Sequence, residues 1–170
     1  QVPFHVEVNQ EIGPNLDFRY PIEDSPEFTV RQIRDAVPSP DGNRIAFAAL
    51  DRLYVMEFPG GEPQRLTQLE MVEAEPVWSP DGHWIVFSTW SDEGGHLYKV
   101  SATEPGEAER LTRAPAIYQQ PAWSSDGKKI VVVRGTARSF RDATGPYAPG
   151  SRDDLVWVPA DGGAATLIAP

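Results

Sequence analysis

The segment Pro76-Val-Trp-Ser-Pro-Asp-Gly-His-Trp-Ile-Val-Phe87 occurs three times in this chain, with substitutions, and its repetition decides the fold. The other two copies align with it without gaps and are Ala36-Val-Pro-Ser-Pro-Asp-Gly-Asn-Arg-Ile-Ala-Phe47 and Pro121-Ala-Trp-Ser-Ser-Asp-Gly-Lys-Lys-Ile-Val-Val132. One aspartate recurs in each copy, and successive occurrences at Asp41, Asp81 and Asp126 are 40 and 45 residues apart. A period of this length indicates a protein built from similar structural units.

Two further pieces recur after each copy and complete the unit. The first piece is Leu53-Tyr-Val-Met56, Leu97-Tyr-Lys-Val100 or Leu155-Val-Trp-Val158. The second is Arg65-Leu-Thr67, Arg110-Leu-Thr112 or the weaker match Thr166-Leu-Ile168. Because all three pieces recur in the same order, the repeated unit spans the whole interval between the copies and not only the first motif.

Each copy of the first motif encodes a tight turn followed by a strand. In Ser39-Pro40-Asp41-Gly42 the fixed φ of proline suits the second position of a turn, and glycine tolerates the positive φ at its end. Ser125 replaces the proline in the third copy, which we expect to loosen that turn. β-branched and aromatic runs follow the turns and predict strands at Ile45–Phe47, Ile85–Phe87 and Ile130–Val132. With further turn signals downstream and no helical period, each unit is predicted to be an antiparallel sheet of about four short strands.

Repeated four-stranded units of this length predict an all-β fold, a β-propeller made of blades. We expect three blades, at approximately 34–68, 73–113 and 118–168, which amounts to half of a six-bladed ring. Trp78 and Trp123 occupy the same position in their units and are predicted to pack between blades. Residues 31–170 thus form the propeller portion, and residues 1–30 form a separate N-terminal segment.

The N-terminal segment, residues 1–30, alternates apolar and other residues at its start. Val2, Phe4, Val6 and Val8 predict one strand, followed by a proline-rich arm. This strand is interpreted either as the last strand of a preceding blade or as an arm that pairs with a neighbour, and the second interpretation is favoured. The first residues, Gln1–His5, have neither a basic nor an apolar stretch typical of a signal peptide.

The motifs Trp78-Ser-Pro-Asp-Gly82 and Trp123-Ser-Ser-Asp-Gly127, with the strands that follow them, resemble the TolB-type propeller repeat. The resemblance covers roughly residues 30–168 and is specific for the repeat rather than for an activity. It implies a periplasmic or secreted protein.

Three tracts resemble, more particularly, the TolB-like propeller of certain secreted amidohydrolases. They are Val30–Gly42, Thr89–His96 and Tyr118–Trp123. This resemblance implies a metal-dependent hydrolase domain elsewhere, since nothing in these tracts supplies one.

Composition and charge exclude several partners. Fifteen basic against 25 acidic residues give a net charge of −10 and a pI of about 4.7, which disfavours nucleic acid and anionic membranes. No stretch has the roughly 20 apolar residues of a membrane-spanning helix. The absence of cysteine excludes disulfides, a thiol nucleophile and thiolate metal ligands.

Catalytic motifs are absent from the sequence, so we expect no activity from this chain alone, no cofactor and no metal. The three histidines, His5, His83 and His96, are assigned to the surface or to packing. The turn aspartates are assigned a structural role in their hairpins. Glu70, Glu73 and Glu75 form an acidic cluster that is interpreted as a solvated loop in preference to a Ca²⁺ site, because a Ca²⁺-loop spacing is missing.

Candidate binding residues follow from blade geometry. Loops between the second and third strands share a face with the connections between blades, and here they are Leu50–Arg52, Trp90–His96 and the long insertion Arg134–Asp154. The insertion contains four arginines, including Arg152, and also Phe140 and Tyr147, which points to an acidic or peptide-like ligand, although a solvated loop is favoured. The predicted binding residues are Trp90, His96, Tyr118, Gln120, Arg134, Arg138 and Arg141.

Assembly follows from the number of blades, since propellers close with four to eight blades. Apolar residues predicted at the two ends are Ile45, Phe47, Leu53 and Val55 in the first unit, and Ile130, Val132 and Trp157 in the third. We therefore expect a homodimer that completes one ring, or further blades supplied by a longer chain. The predicted function is a non-catalytic module that binds a protein or peptide. The alternative is the propeller portion of a metal-dependent amidohydrolase.

Overall fold

The computed structural model describes residues 3, 5–10, 13, 25–26, 29–142 and 153–170. These residues form three four-stranded antiparallel sheets, which confirms the all-β fold and the three blades. The first blade contains β1 (Arg34–Pro38), β2 (Arg44–Ala49), β3 (Arg52–Glu57) and β4 (Gln64–Arg65). The second contains β5 (Val72–Trp78), β6 (Trp84–Trp90), β7 (Leu97–Ser101) and β8 (Glu109–Arg110). The third contains β9 (Ile117–Trp123), β10 (Lys129–Gly135), β11 (Asp154–Pro159) and β12 (Thr166–Ala169).

The turns between the first two strands of each blade form as their sequence predicts. In the second blade the Gly82 N–H donates to Ser79 O at 2.9 Å, and the Asp81 carboxylate accepts from the Ser79 hydroxyl and from the His83 N–H. Corresponding hydrogen bonds form in the other two turns. The turn with Ser125 in place of proline therefore keeps the same hydrogen bonds, because these depend on the flanking serine and aspartate.

The core consists of two apolar clusters, one between each pair of neighbouring blades. The expectation that Leu53, Val55, Ile130 and Val132 lie at the open ends is wrong, because all four are buried against the second blade. Side chains alternate between the two faces of a sheet along each strand. The intervening residues of β2 and β3, and those of β10 and β11, therefore lie on the end faces. The first-blade end face contains Ile45, Phe47, Tyr54 and Met56. The third-blade end face contains Val131, Val133, Leu155 and Trp157.

The two tryptophans that share a position in the repeat pack between blades, as predicted. Trp78 joins the first cluster, and its indole N–H donates to Val37 O of the first blade at 3.1 Å. Trp123 packs against the second cluster and donates to Val77 O of the second blade at 3.3 Å. Each indole therefore fills apolar space and also satisfies a carbonyl in the first strand of the preceding blade.

Two segments differ from the sequence-based expectation. A five-residue helix, α1 (Ala137–Arg141), begins the insertion between β10 and β11, although no helical period predicts it. Residues 5–10 form no strand, and Val6 and Val8 are 65% and 78% exposed, because no described strand offers them backbone partners. Val2, Phe4, Tyr147 and Arg152 lie outside the described residues.

Within the described part of the chain, no helix is long and apolar enough to cross a membrane.

Candidate functional site

The loops between second and third strands share one face with the connections between blades, as predicted. Arg52, which begins β3, donates to Met71 O in the first connection at 2.6 Å, and Glu73 N donates to Asp51 O at 3.1 Å. In the second blade, Gly95 N donates to Ala116 O in the next connection at 2.7 Å. We call this surface the loop face; it comprises the loops 50–51 and 91–96, the described residues 136–142 and 153 of the insertion, and the connections 66–71 and 111–116.

A buried carboxylate holds the loop face between the first two blades. Glu73 is 1% exposed; its carboxylate accepts from Leu53 N at 2.9 Å and from the Thr67 hydroxyl. These contacts join the third strand of one blade, and the connection that follows its fourth strand, to the first strand of the next blade. Glu73 is therefore not part of a solvated acidic loop, and this part of the expectation is wrong: the side chain is buried because both of its oxygens have partners.

His96 and Tyr118 both lie beside Thr112, at the corresponding place between the second and third blades. The His96 ring Nδ1 lies 3.0 Å from Thr112 Oγ1, and burial together with the Arg110 charge lowers the pKa of His96. Tyr118 is 4% exposed, its hydroxyl donates to Ala114 O at 2.9 Å, and burial raises the pKa of this phenol. Both side chains thus make hydrogen bonds within the loop face, and half-buried His96 fits the surface or packing role expected for it.

The other predicted binding residues are placed around this cluster. Arg134 lies opposite Tyr118 in the sheet and pairs with Asp154 at 2.6 Å, so its guanidinium is engaged within the chain. Arg138 and Arg141 lie on α1, and Arg138, 86% exposed, is 3.7 Å from Asp142. Trp90 ends β6 opposite Val72 and is 39% exposed. The structure brings together His96, Tyr118 and Arg134, whereas Trp90 and the helix arginines remain exposed at separate loops.

The first strands contain a ladder of residues that the sequence analysis missed. Asp35, Glu75 and Gln120 occupy the same position in β1, β5 and β9, each with φ of 52–53° and each at a break in strand register. Glu75 N donates to Asp35 Oδ2 at 3.2 Å, and Gln120 N donates to Glu75 Oε2 at 2.8 Å. Each acidic side chain therefore satisfies the bulged backbone of the next blade.

We call Asp35, Glu75 and Gln120 the inner ladder. Its central residue also contacts Ser88, whose hydroxyl lies 3.3 Å from Glu75 Oε2. Burial raises the pKa of Glu75, although the bonds from Gln120 and Ser88 act in the opposite direction. Gln120, the remaining predicted binding residue, presents an exposed side chain at the end of the ladder. The signal that could have found the ladder is its spacing of 40 and 45 residues, the same as that of the turn aspartates.

Glu70 completes the acidic cluster that was considered for Ca²⁺. It is exposed and lies 3.5 Å from Arg52, so the three glutamates have three separate environments. Among the described residues, no group of three or more His, Cys, Asp or Glu side chains is arranged to hold a metal ion.

Comparisons with known sequences identify a family and relatives that this chain resembles. The TolB beta propeller domain matches residues 33–148, more than half of the chain. The Tol-Pal system protein TolB of Desulfosudis oleivorans is 35% identical over 66 residues, which cover 36% of this chain and 15% of that protein. The uncharacterized peptidase YuxL of Bacillus subtilis is 38% identical over 72 residues, which cover 39% of this chain and 11% of that protein. The expected resemblance to amidohydrolase propellers is not shown, since the hydrolase in this comparison is by name a peptidase.

A solved structure has the same fold. The putative TolB from Agrobacterium tumefaciens superposes with a TM-score of 0.64 at 23% identity, covering 84% of this chain and 50% of that one. The present chain thus spans about half the length of that protein and a smaller share of the sequence relatives. With the repeat motifs, the three blades and the family match in agreement, this chain belongs to the TolB beta propeller domain family.

Proposed function

We propose that this chain is a non-catalytic binding module that recognises a protein or peptide on the loop face. The observation that carries the proposal is the combination of a rigid support with exposed recognition groups. Glu73 and Thr112 hold the loops through buried hydrogen bonds, while Trp90 and Arg138 remain exposed. Binding residues are typically displayed in this way, on loops that a packed scaffold positions.

The exposed arginines of α1, Arg138 and Arg141, favour a partner with carboxylate groups. Guanidinium groups bind carboxylates through paired hydrogen bonds, and Arg134 already binds Asp154 in this chain. We use an acetylated tetraglutamate peptide amide as the probe. The double variant R138A/R141A is expected to weaken its binding about tenfold at low salt. The control K128A removes a cation from the opposite face and should leave binding unchanged; equal binding by all three proteins contradicts this role of α1.

We further propose that a second copy of the chain completes a six-bladed ring. Leu155 is 37% exposed and Trp157 is half-buried on the third-blade end face, while Ile45, Tyr54 and Met56 are half-buried on the first-blade end face. Blades normally cover such faces with a neighbouring blade. In a two-fold dimer the third-blade end face of each copy would meet the first-blade end face of the other, and both would be covered.

The inner ladder supports the same arrangement. Within the chain, each ladder side chain accepts from the backbone N–H of the next blade. In the dimer, Gln120 of one copy would be placed to accept from the backbone N–H of Asp35 in the other. The ladder would then run unbroken around the ring.

Light scattering after size exclusion tests the dimer. We expect a mass twice the 18.8 kDa of one chain at micromolar concentration. Leu155→Lys should give a folded monomer, because it places a charge in the new interface. Leu167→Lys is the matched control, since Leu167 is 54% exposed but pairs with Val156, whose side chain faces the second blade. A stable, folded wild-type monomer would leave ring completion to further blades in a longer chain.

A second candidate function is the propeller portion of a hydrolase whose catalytic domain lies outside this chain. The similarity to the peptidase YuxL favours it over the amidohydrolase alternative. Peptide hydrolysis by a longer protein that contains residues 1–170 would support this candidate.

By analogy with TolB relatives, we propose a periplasmic or secreted location, and fractionation of cells that express the tagged protein tests it.

A further inference from the structure

An arginine fills the junction between the first and second blades, on the side opposite the loop face. The Arg44 guanidinium lies 4.9 Å from the centroid of the Trp78 ring and donates to Ala102 O at 2.8 Å and to Gly82 O at 3.2 Å. One guanidinium therefore stacks on an indole and binds two carbonyls of the neighbouring blade at the same time. This geometry suits the planar guanidinium well.

At the corresponding junction between the second and third blades, that arginine is replaced. Trp84 stands at the Arg44 position, while Trp123 and Gly127 correspond to Trp78 and Gly82. Lys99 lies at one end of this second junction. Its ammonium donates to Ala160 O at 2.9 Å and lies 4.9 Å from the centroid of the Trp84 ring. Within the described residues, no cation stacks on Trp123 and no donor binds Gly127 O.

The replacement leaves an open space between the blades. A Cβ atom on Gly82 would lie 3.7 Å from the Pro40 ring of the first blade, whereas one on Gly127 would meet nothing within 4 Å. The two turns are thus farther apart at the second junction. Between them lies a cleft of about 410 Å³, which we call the interblade cleft. Its aromatic lining is provided by Trp84 and Trp123.

The charge of the interblade cleft suits a cation. Asp81, Asp126 and Asp161 line it, with Lys99 as the cation among its lining residues. The ammonium of Lys99 is itself compensated by Glu109 at 3.4 Å and by Asp161 at 3.7 Å. Asp81 and Asp126 use Oδ1 for their own turns, and hydrogen bonds from Ser79 and Ser124 lower the pKa of these two carboxyls.

We infer that the interblade cleft binds the guanidinium of an arginine side chain presented by a partner protein. The bound group would stack on Trp123 and donate to Gly127 O, as Arg44 does with Trp78 and Gly82 O. Lys99 already holds Ala160 O, and the Asp126 carboxylate would lie beside the bound group instead. The binding energy comes from a cation–π contact and from charge-assisted hydrogen bonds. The interblade cleft lies on the opposite side from the loop face, so this site is independent of the proposed binding function.

The test uses the peptide acetyl-Gly-Arg-Gly-amide and the indole N–H resonances of the protein. Titration should shift the indole N–H signal of Trp123 in a saturable manner. Peptides with lysine or citrulline in place of arginine should bind about tenfold more weakly, because the first lacks the planar fork and the second lacks the charge. Equal binding of either peptide, or no shift of the Trp123 signal with the arginine peptide, overturns the inference.

A variant that fills the interblade cleft provides the decisive comparison. Trp84→Arg restores at the second junction the residue that occupies the first, and position 84 is 40% exposed, so folding should be preserved. This variant should bind the arginine peptide at least about tenfold more weakly than the wild type does. Trp84→Phe keeps the interblade cleft open and should bind the peptide as the wild type does. Undiminished binding by Trp84→Arg contradicts the site. Binding of the tetraglutamate peptide should be unaffected in both variants, which separates this result from that of the loop face.

Discussion

The carboxylate of Glu75 accepts a 2.8 Å hydrogen bond from the backbone N–H of Gln120, which occupies the same position one blade further along the chain. Both residues have φ of 53°, a left-handed conformation that non-glycine residues rarely adopt. The bulge turns the Gln120 N–H away from its own sheet, and the preceding blade supplies the acceptor. Neighbouring blades are therefore joined at their inner strands by polar contacts as well as by apolar packing.

Glu75→Ala should destabilise the chain by about 1–2 kcal/mol, because the Gln120 N–H loses its acceptor. Glu75→Gln keeps an acceptor oxygen and removes a charge whose burial raises its pKa. We expect this variant to unfold at the same urea concentration as the wild type or a higher one. Equal destabilisation by both substitutions would show that the charge, rather than the acceptor, matters.

Glu73→Ala should lower the free energy of unfolding by about 2–5 kcal/mol, because it leaves the Leu53 N–H and the Thr67 hydroxyl buried without partners. Glu70→Ala is the matched control three residues away; its side chain is exposed, and a change within about 0.5 kcal/mol is expected. Urea unfolding followed by tryptophan fluorescence measures both. A small effect at Glu73 would mean that water replaces its contacts.

Gly95→Ala should destabilise the chain by about 1–3 kcal/mol, because a Cβ atom there would lie 1.6 Å from Thr89 O and the backbone must move. The loop-face contact between Gly95 and Ala116 should loosen, which hydrogen exchange of the Ala116 amide would detect. Gly106→Ala is the control, since nothing lies within 4 Å of its Cβ position and no positive φ requires glycine there. That variant should be neutral or slightly more stable.

The turn aspartates predict a loss of stability in acid. Hydrogen bonds from the neighbouring serine and from the backbone lower the pKa of Asp41, Asp81 and Asp126 below the ordinary 3.8. Their contribution is fully present above that ordinary value and is lost as pH falls through the lower pKa of the folded state. The triple variant D41N/D81N/D126N keeps acceptor oxygens but cannot titrate. Its melting temperature should fall less steeply than that of the wild type below about pH 4, and parallel curves would contradict this assignment.

The sequence by itself determined the blades. The repeated Ser-Pro-Asp-Gly turns contain their own hydrogen-bonding groups, so that each hairpin is encoded within a few residues. The alternation of apolar residues in the strands then determined which side chains could face a neighbouring blade. Packing of Trp78 and Trp123 followed from the same repetition. These features are local or periodic, and for that reason they can be predicted from the amino-acid sequence alone.

Tertiary structure alone decided which face of each blade is covered and which side chains meet across the junctions. Leu53 and Ile130 were predicted at open ends because alternation cannot tell which neighbour lies on which side of a sheet. Glu73, Glu75 and Glu70 are near neighbours in sequence, yet a change of strand face, a bulge and a loop give them different surroundings. Gln120 lies 45 residues from its partner Glu75, and Gly82 lies 38 residues from Arg44; at such separations of about one repeat, only the docking of blade against blade determines contact.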